Sequence, residues 1–351
     1  MNLPLPLVAV EGTPAECGAA YGAQAASLVA GNTAAYLDRF AEQAGLAPAE
    51  VRRAGAAFRQ VTLEAQPRVA AMLDGLAEGA RVAVEEIYAL NARTELLYGA
   101  TECTSLGVIS DTTVLAQNWD WHPDQRPYAL LLATRDERGF AVLTLAEAGM
   151  LGKAGLNSAG LGLCVNMLMS DRDGRGPGVP YHVLVRAVLE SHTLGGAIEV
   201  ICGSPRSASI NMLIGQAFGP SVPGEVIDVE VAPGDVGFLH PVDGVITHAN
   251  HFESSIGVRD TLKDLGSSSF FRGARARRLL GASPGVKEIH AVLADHGGYP
   301  RSICRHDTDD RVEPSETLSS VVLHLDERRM SVTAGPPCAA GGYADVRLDS
   351  L

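Results

Sequence analysis

Apolar residues recur at helical spacing through the first hundred positions and then give way to short runs of strand character. Residues 13–100 read as several helices packed together. Thr13-Pro14-Ala15-Glu16 has the form of a capping box with proline at the first helical position, and Ala19, Tyr21, Ala25, Leu28 and Val29 form one apolar stripe. Pro48 opens a further helix that runs to Gln66 before Pro67 interrupts it, and Val69, Met72, Leu73 and Leu76 continue an apolar face. Beyond residue 103 the runs 105–110, 113–118, 128–134 and 140–145 predict strands, separated by turn residues such as Asp111-Thr112 and Arg138-Gly139. Helices are expected at 181–192, 194–202 and 268–280, and later strands at 210–215, 226–231 and 319–325. Two layers of sheet flanked by helices satisfy this order, with no internal repeat and no long linker.

Cys103 stands where the helical region ends and the first strand begins, in Thr-Glu-Cys-Thr-Ser-Leu-Gly-Val. Packing alone explains a cysteine there poorly, and the position suggests a nucleophile that becomes an N-terminus. The 351 residues suit one large domain or two small ones, and composition does not separate them. With 46% hydrophobic and 20% charged residues the chain fits a soluble globular protein, and no run approaches the roughly 20 apolar residues of a membrane helix. Its start, Met1 to Leu7, lacks the basic region and apolar core of a signal peptide, so a cytoplasmic location is expected. A net charge of −13 without a basic run argues against nucleic acid as a partner.

The six cysteines, at 17, 103, 164, 202, 304 and 338, are scattered and contain no CxxC pair. That disfavours a zinc site and a disulfide scaffold, and five of them read as small buried hydrophobes. His248 and His251 flank Asn250 at a spacing that invites a metal reading, but without matched acidic or cysteine partners they read as ordinary strand-end histidines. His306-Asp307-Thr308-Asp309-Asp310 reads as a solvated loop. The expectation is therefore no metal.

Six ordered motifs carry a resemblance. They are Glu102-Cys103-Thr104; Gln117-Asn118-Trp119-Asp120-Trp121; the stretch from Glu147-Ala148-Gly149 through Gly152-Lys153 to Ala159-Gly160; Pro177-Gly178-Val179-Pro180; Thr247-His248-Ala249-Asn250-His251; and Arg301-Ser302-Ile303-Cys304-Arg305. Over about residues 10–340 the chain resembles the acyl-coenzyme A:6-aminopenicillanic-acid acyltransferase family of cysteine N-terminal-nucleophile hydrolases. The resemblance implies an α+β fold, the four-layer αββα sandwich, and self-cleavage before Cys103. Cleavage there gives a helix-rich segment, 1–102, and a catalytic segment, 103–351, joined in one globular heterodimer, with a higher oligomer left open.

The chemistry follows from the thiol. An ordinary cysteine, with a pKa of about 8.5, is mostly protonated at neutrality and needs a base, which its own α-amine supplies once the preceding bond is cut. The resemblance makes Asp120 the residue that orients this amine, Asn250 the oxyanion donor, and Arg305 a cation near the nucleophile. Thr104, Trp121 and His122 are the expected substrate-binding residues, the last two standing where a relative has a Phe pair. Ser209 and Ser302 are expected in processing or support. Glu102 replaces a glycine found before the cysteine in the best-known member, and a side chain there resists strained backbone geometry. The implied activity is hydrolysis or acyl transfer on a small non-peptide amide, without a resident cofactor, a coenzyme A thioester being one acyl donor. A different class stays open here: an idle homologue used for binding or assembly, in which Glu102 blocks cleavage.

Overall fold

The structure, a computed structural model, describes residues 3–97, 103–174, 176–219, 222–282, 284–308 and 314–351. Strand β1 (Leu7–Gly12) precedes helices α1 (Pro14–Gln24), α2 (Ala26–Ala44), α3 (Pro48–Ala65), α4 (Pro67–Ala80), α5 (Val84–Asn91) and α6 (Arg93–Leu97). The capping box closes as expected, with Thr13 N donating to Glu16 Oε2 at 2.8 Å and Glu16 N donating to Thr13 Oγ1 at 3.4 Å. Pro48 and Pro67 each sit at the first turn of a helix, where the missing N–H costs nothing. The stripe from Ala19 to Val29 is divided between two helices, because the chain leaves helical geometry at Ala25 (φ −109°, ψ 21°); Tyr21 is buried from α1 and Val29 from α2. Helices α1 and α4 touch through glycine. A Cβ on Gly18 would lie 2.0 Å from the Met72 carbonyl oxygen, so no larger residue fits that crossing.

From residue 103 onward the elements are β2 (Cys103–Ile109), β3 (Thr113–Trp121), β4 (Ala129–Asp136), β5 (Ala141–Glu147), β6 (Gly155–Asn157), β7 (Leu161–Met167), α7 (Tyr181–Leu189), α8 (Leu194–Gly203), β8 (Ile210–Gln216), β9 (Glu225–Ala232), β10 (Asp235–Leu239), β11 (Val245–His248), α9 (Leu262–Leu265), α10 (Ser269–Leu280), α11 (Val286–Leu293), β12 (Glu316–His324), β13 (Arg329–Val332) and β14 (Ala344–Arg347). They form an eight-stranded sheet, β1-β4-β5-β6-β7-β8-β9-β10, and a six-stranded sheet, β11-β2-β3-β12-β13-β14. Only the β1–β4 pairing is parallel among the named strands. The sheets face each other across a core that includes Leu115, Leu143, Leu156, Cys164, Leu213 and Leu323. Helices α1, α4, α7 and α8 cover the outside of the larger sheet, and α10 and α11 the outside of the smaller one. This is the expected αββα sandwich. Among the described residues no helix is long and apolar enough to cross a membrane.

Candidate active site

The centre of the smaller sheet sets the geometry. Cys103, the first residue of β2, lies opposite Trp119 on β3, and Thr317 on β12 lies opposite Asp120 from the other side. Side chains alternate along a strand. Cys103, Trp119 and Trp121 therefore belong to the core between the sheets, while Thr104 and Asn118 bond to the helical layer: Arg272 on α10 donates to Thr104 Oγ1, and Asn118 Nδ2 donates to the carbonyls of Leu293 (2.8 Å) and Ile303 (2.9 Å).

The backbone of Cys103 is held on both sides of its Cα. Its N–H donates to Asn250 Oδ1 at 2.8 Å, and its carbonyl accepts from Arg272 Nη1 at 2.6 Å. Arg272 Nη2 reaches the same Asn250 oxygen at 2.9 Å. Asn250 Nδ2 donates to the Met167 carbonyl at 3.0 Å, and its backbone N–H donates to Ser269 Oγ at 2.7 Å. These partners fix the amide orientation, since the reversed side chain would set its NH₂ against two donors and its oxygen against a carbonyl. Asn250 thus turns its oxygen to the Cys103 nitrogen and one Nδ2 hydrogen to the Met167 carbonyl.

Burial pushes the Cys103 thiol up to about 11, with the nearby Asp120 charge adding to the rise; the Asp120 backbone N–H, Lys153 and Arg272 pull the other way. A thiol raised so far is protonated at pH 7. Asp120 Oδ1 accepts from Thr317 Oγ1 at 2.7 Å, and Thr317 Oγ1 accepts from Arg305 N at 2.9 Å, so the Arg305 backbone lies two hydrogen bonds from the Asp120 carboxylate.

A small cavity of about 30 Å³ opens beside Cys103, lined among others by Trp119, Asp120, Trp121, Lys153 and Arg93. Ligand pockets commonly measure about 300–1,000 Å³, so this cavity is far smaller than a typical ligand site. Glu147 lies behind the cavity, accepting from Lys153 Nζ (2.8 Å), Arg93 Nη2 (3.0 Å) and Tyr36 Oη (2.6 Å). Arg93 stacks 3.8 Å over Trp121, and Lys153 lies 4.4 Å over Trp119. Burial, reinforced by Arg93, lowers Lys153 to about 8, whereas Glu147 stays below the usual carboxylate range because its two cations outweigh its burial. Burial raises Glu95 to about 8 and drives His182 well below the ordinary histidine value, leaving both uncharged at neutrality.

The other expected site residues are dispersed. Trp121 lines the cavity; His122 meets the Trp121 ring edge-on at 5.1 Å and is neutral, burial lowering it to about 4. Thr104 is anchored to Arg272 and lies outside that lining. Ser209 donates to Asp173 Oδ1 (2.6 Å) and Ser170 Oγ (3.0 Å), a separate cluster, and Ser302 donates to the Cys304 carbonyl at 2.5 Å. Glu102 lies outside the described residues.

The model of the family "Acyl-coenzyme A:6-aminopenicillanic acid acyl-transferase" matches residues 109–338. The acyl-coenzyme A:6-aminopenicillanic-acid-acyltransferase 40 kDa form of Emericella nidulans is 30% identical over 345 residues, covering 94% of this chain and 92% of that one. The chain belongs to this acyltransferase family. Two solved structures are more distant: penicillin V acylase from Agrobacterium tumefaciens (TM-score 0.46, 16% identity, 71% of this chain and 87% of that one) and a mutant conjugated bile acid hydrolase from Clostridium perfringens (TM-score 0.43, 12%, 70% and 93%).

Against the family motifs, sequence reasoning missed Arg272 and the Arg93–Glu147–Lys153 group. Arg272 had a signal. In α10 the buried positions Ser269, Arg272, Gly273, Ala276 and Leu280 follow helical spacing, which places one arginine on the inward face while its basic neighbours face outward. Lys153 and Glu147 lay inside a quoted motif without an assigned role, and Arg93 is 54 residues away from Glu147 in the chain.

Proposed function

We propose that this chain is a self-processing cysteine amide hydrolase or N-acyltransferase, acting on a small non-peptide amide through a Cys103 thioester. The observation that carries the reading is the grip of Asn250 on the backbone N–H, and of Arg272 on the carbonyl, of a cysteine whose thiol is buried and protonated. In processing, Cys103 Sγ attacks the Glu102 carbonyl carbon. The Glu102–Cys103 C–N bond breaks as the nitrogen takes up a proton, leaving a thioester and a free α-amine, and water then releases the Glu102 carboxylate and restores the thiol. The new amine stands where Asn250 Oδ1 already accepts an N–H, and its unperturbed pKa of about 7.7–8.0 suits it to take the thiol proton.

In turnover the thiolate attacks the substrate acyl carbon, and the second Nδ2 hydrogen of Asn250 donates to the developing oxyanion. The departing amine takes its proton from the α-ammonium, and water or an acceptor amine completes the cycle. Asp120, held by Thr317, supplies the anion that orients the α-ammonium. Two cations against one carboxylate on the tryptophan side of the cavity favour a substrate that itself carries a carboxylate.

Purified wild-type protein is expected to separate into chains of about 11 and 26 kDa, which is 36.8 kDa divided as 102 to 249 residues, the larger beginning Cys-Thr-Ser-Leu. Cys103→Ala is expected to remain single and inactive. An uncut wild-type chain, or a new terminus elsewhere, would refute the assignment of Cys103. Amine release from N-acyl amines and aminoacyl amides, each with and without a carboxylate, reads the substrate class; equal rates for the two sets would remove the role given to Arg93 and Lys153.

A further inference from the structure

Four side chains that the active site does not use converge on one point. His296 Nε2, Cys304 Sγ, His306 Nε2 and Cys338 Sγ all lie within 4.8 Å of one another. The sulfurs are 3.6 Å apart, His306 Nε2 is 3.6 Å from Cys304 Sγ and 3.4 Å from Cys338 Sγ, and the two Nε2 atoms are 3.1 Å apart. A tetrahedral zinc ion with Zn–S of about 2.3 Å and Zn–N of about 2.0–2.1 Å requires ligand separations of about 3.8 Å (S to S), 3.6 Å (S to N) and 3.4 Å (N to N). These four edges fall within about 0.3 Å of the required values, and the two from His296 Nε2 to the sulfurs lie within 4.8 Å. The sequence argued against zinc because its cysteines are scattered; the fold brings together residues 296, 304 and 306 from the loop after α11 and residue 338 from the β13–β14 connection.

A disulfide accounts for the cluster less well. Its sulfurs would stand about 2.05 Å apart, and it gives two imidazoles no reason to aim their nitrogens at the same place. We propose that His296, Cys304, His306 and Cys338 form a structural site for a thiolate-binding divalent metal of the zinc type. Cys304 is buried, His306 half-buried, and His296 and Cys338 exposed, which leaves an entry path from solvent. The ion would fasten the outer side of a segment whose inner side is already tied to the sheet. Asn118 holds the Ile303 carbonyl, and Arg305 N donates to Thr317 Oγ1, which in turn donates to Asp120. Metal binding would thus fix the backbone that carries Ser302 and Arg305. Around the ligands, Cys304 N donates to the Asp295 carbonyl at 3.0 Å, and the Asp295 carboxylate is clamped by Arg275 at 2.6 and 2.7 Å.

The test uses Cys103→Ala protein, so that it is independent of processing and activity. Reduced protein prepared without chelator is expected to carry one zinc per chain by elemental analysis, and Co²⁺ exchanged into it should give thiolate-to-cobalt charge transfer with intense tetrahedral d–d bands. Cys338→Ser and His296→Gln, at exposed positions, should each weaken zinc binding by at least about 100-fold, while Cys202→Ser should leave it unchanged. Hydrogen exchange over residues 300–308 should slow when zinc is restored. Substoichiometric zinc with no tetrahedral cobalt spectrum in folded, reduced protein would overturn the proposal, as would a Cys304–Cys338 disulfide found by peptide mapping of the native protein, or full zinc retention in both ligand variants.

Discussion

Asn250 gathers the most chemistry into one side chain. Its oxygen accepts from Cys103 N and Arg272, and its nitrogen donates to Met167 with one hydrogen to spare, so acceptor and donor roles sit on opposite ends of one amide. They can be separated. Asn250→Asp keeps an acceptor for the Cys103 nitrogen and for Arg272 but has no N–H to offer an oxyanion. It is expected to retain cleavage and iodoacetamide labelling of Cys103 while turnover falls by roughly 100-fold to 1000-fold, the usual cost of one oxyanion donor. Asn250→Ala removes both functions and should also slow processing. Measuring labelling and amide turnover side by side on mature protein checks this, and full turnover in Asn250→Asp would move the oxyanion donor elsewhere. The residue itself was legible from its motif, but its orientation was not, because that depends on Arg272 and Met167, which are distant in sequence.

At the level of elements, helix starts were readable because they rest on local chemistry: the Thr13–Glu16 box and the prolines at 48 and 67 act within one turn. Short strands such as β6 and β13 were not, since three or four residues carry too little period to stand out and form because neighbours pair with them. One tie between elements has a measurable consequence. His248, at the end of β11, reaches across to β9, where its Nε2 donates to Glu230 Oε1 at 2.9 Å, while its Nδ1 donates to the Ala249 carbonyl at 2.9 Å. Burial opposes the charge, but Asp228 and Glu230 overcome it and raise His248 to about 9. The folded value lies above the unfolded value of about 6.5, so the stabilisation is fully present below about pH 6.5 and is lost as pH rises through 9. The urea midpoint of wild-type protein is therefore expected to fall between pH 6.5 and 9. His248→Gln should start lower and show a shallower fall in that window; parallel curves would show that His248 does not carry the dependence.

For the whole molecule, the order of helices and strands made two covered sheets readable, whereas the convergence of His296, Cys304, His306 and Cys338 was invisible, because sequence spacing says nothing about loops that meet only after folding. If the proposed cleavage before Cys103 occurs, the two pieces remain bound by a shared core. Cys17, Tyr21, Val29, Leu73 and Leu76, which precede Cys103, share one core with Leu130, Leu132, Val142, Val183 and Val188, which follow it. Strand β1 also pairs with β4 from residue 7 to residue 12, opposite 131–136, so the first segment supplies an edge strand of the larger sheet. Separating the pieces would expose both that apolar face and the edge of β4, at about 25 cal/mol for each Å² of apolar surface uncovered. The two chains are accordingly expected to elute together in size-exclusion chromatography after complete cleavage and to part only in denaturant. Residues 103–351 produced alone should be insoluble or lack a cooperative unfolding transition, and adding residues 1–102 in trans during refolding should restore it. A soluble, cooperatively folded 103–351 segment would mean that the helical segment is a dispensable leader rather than part of the shared core.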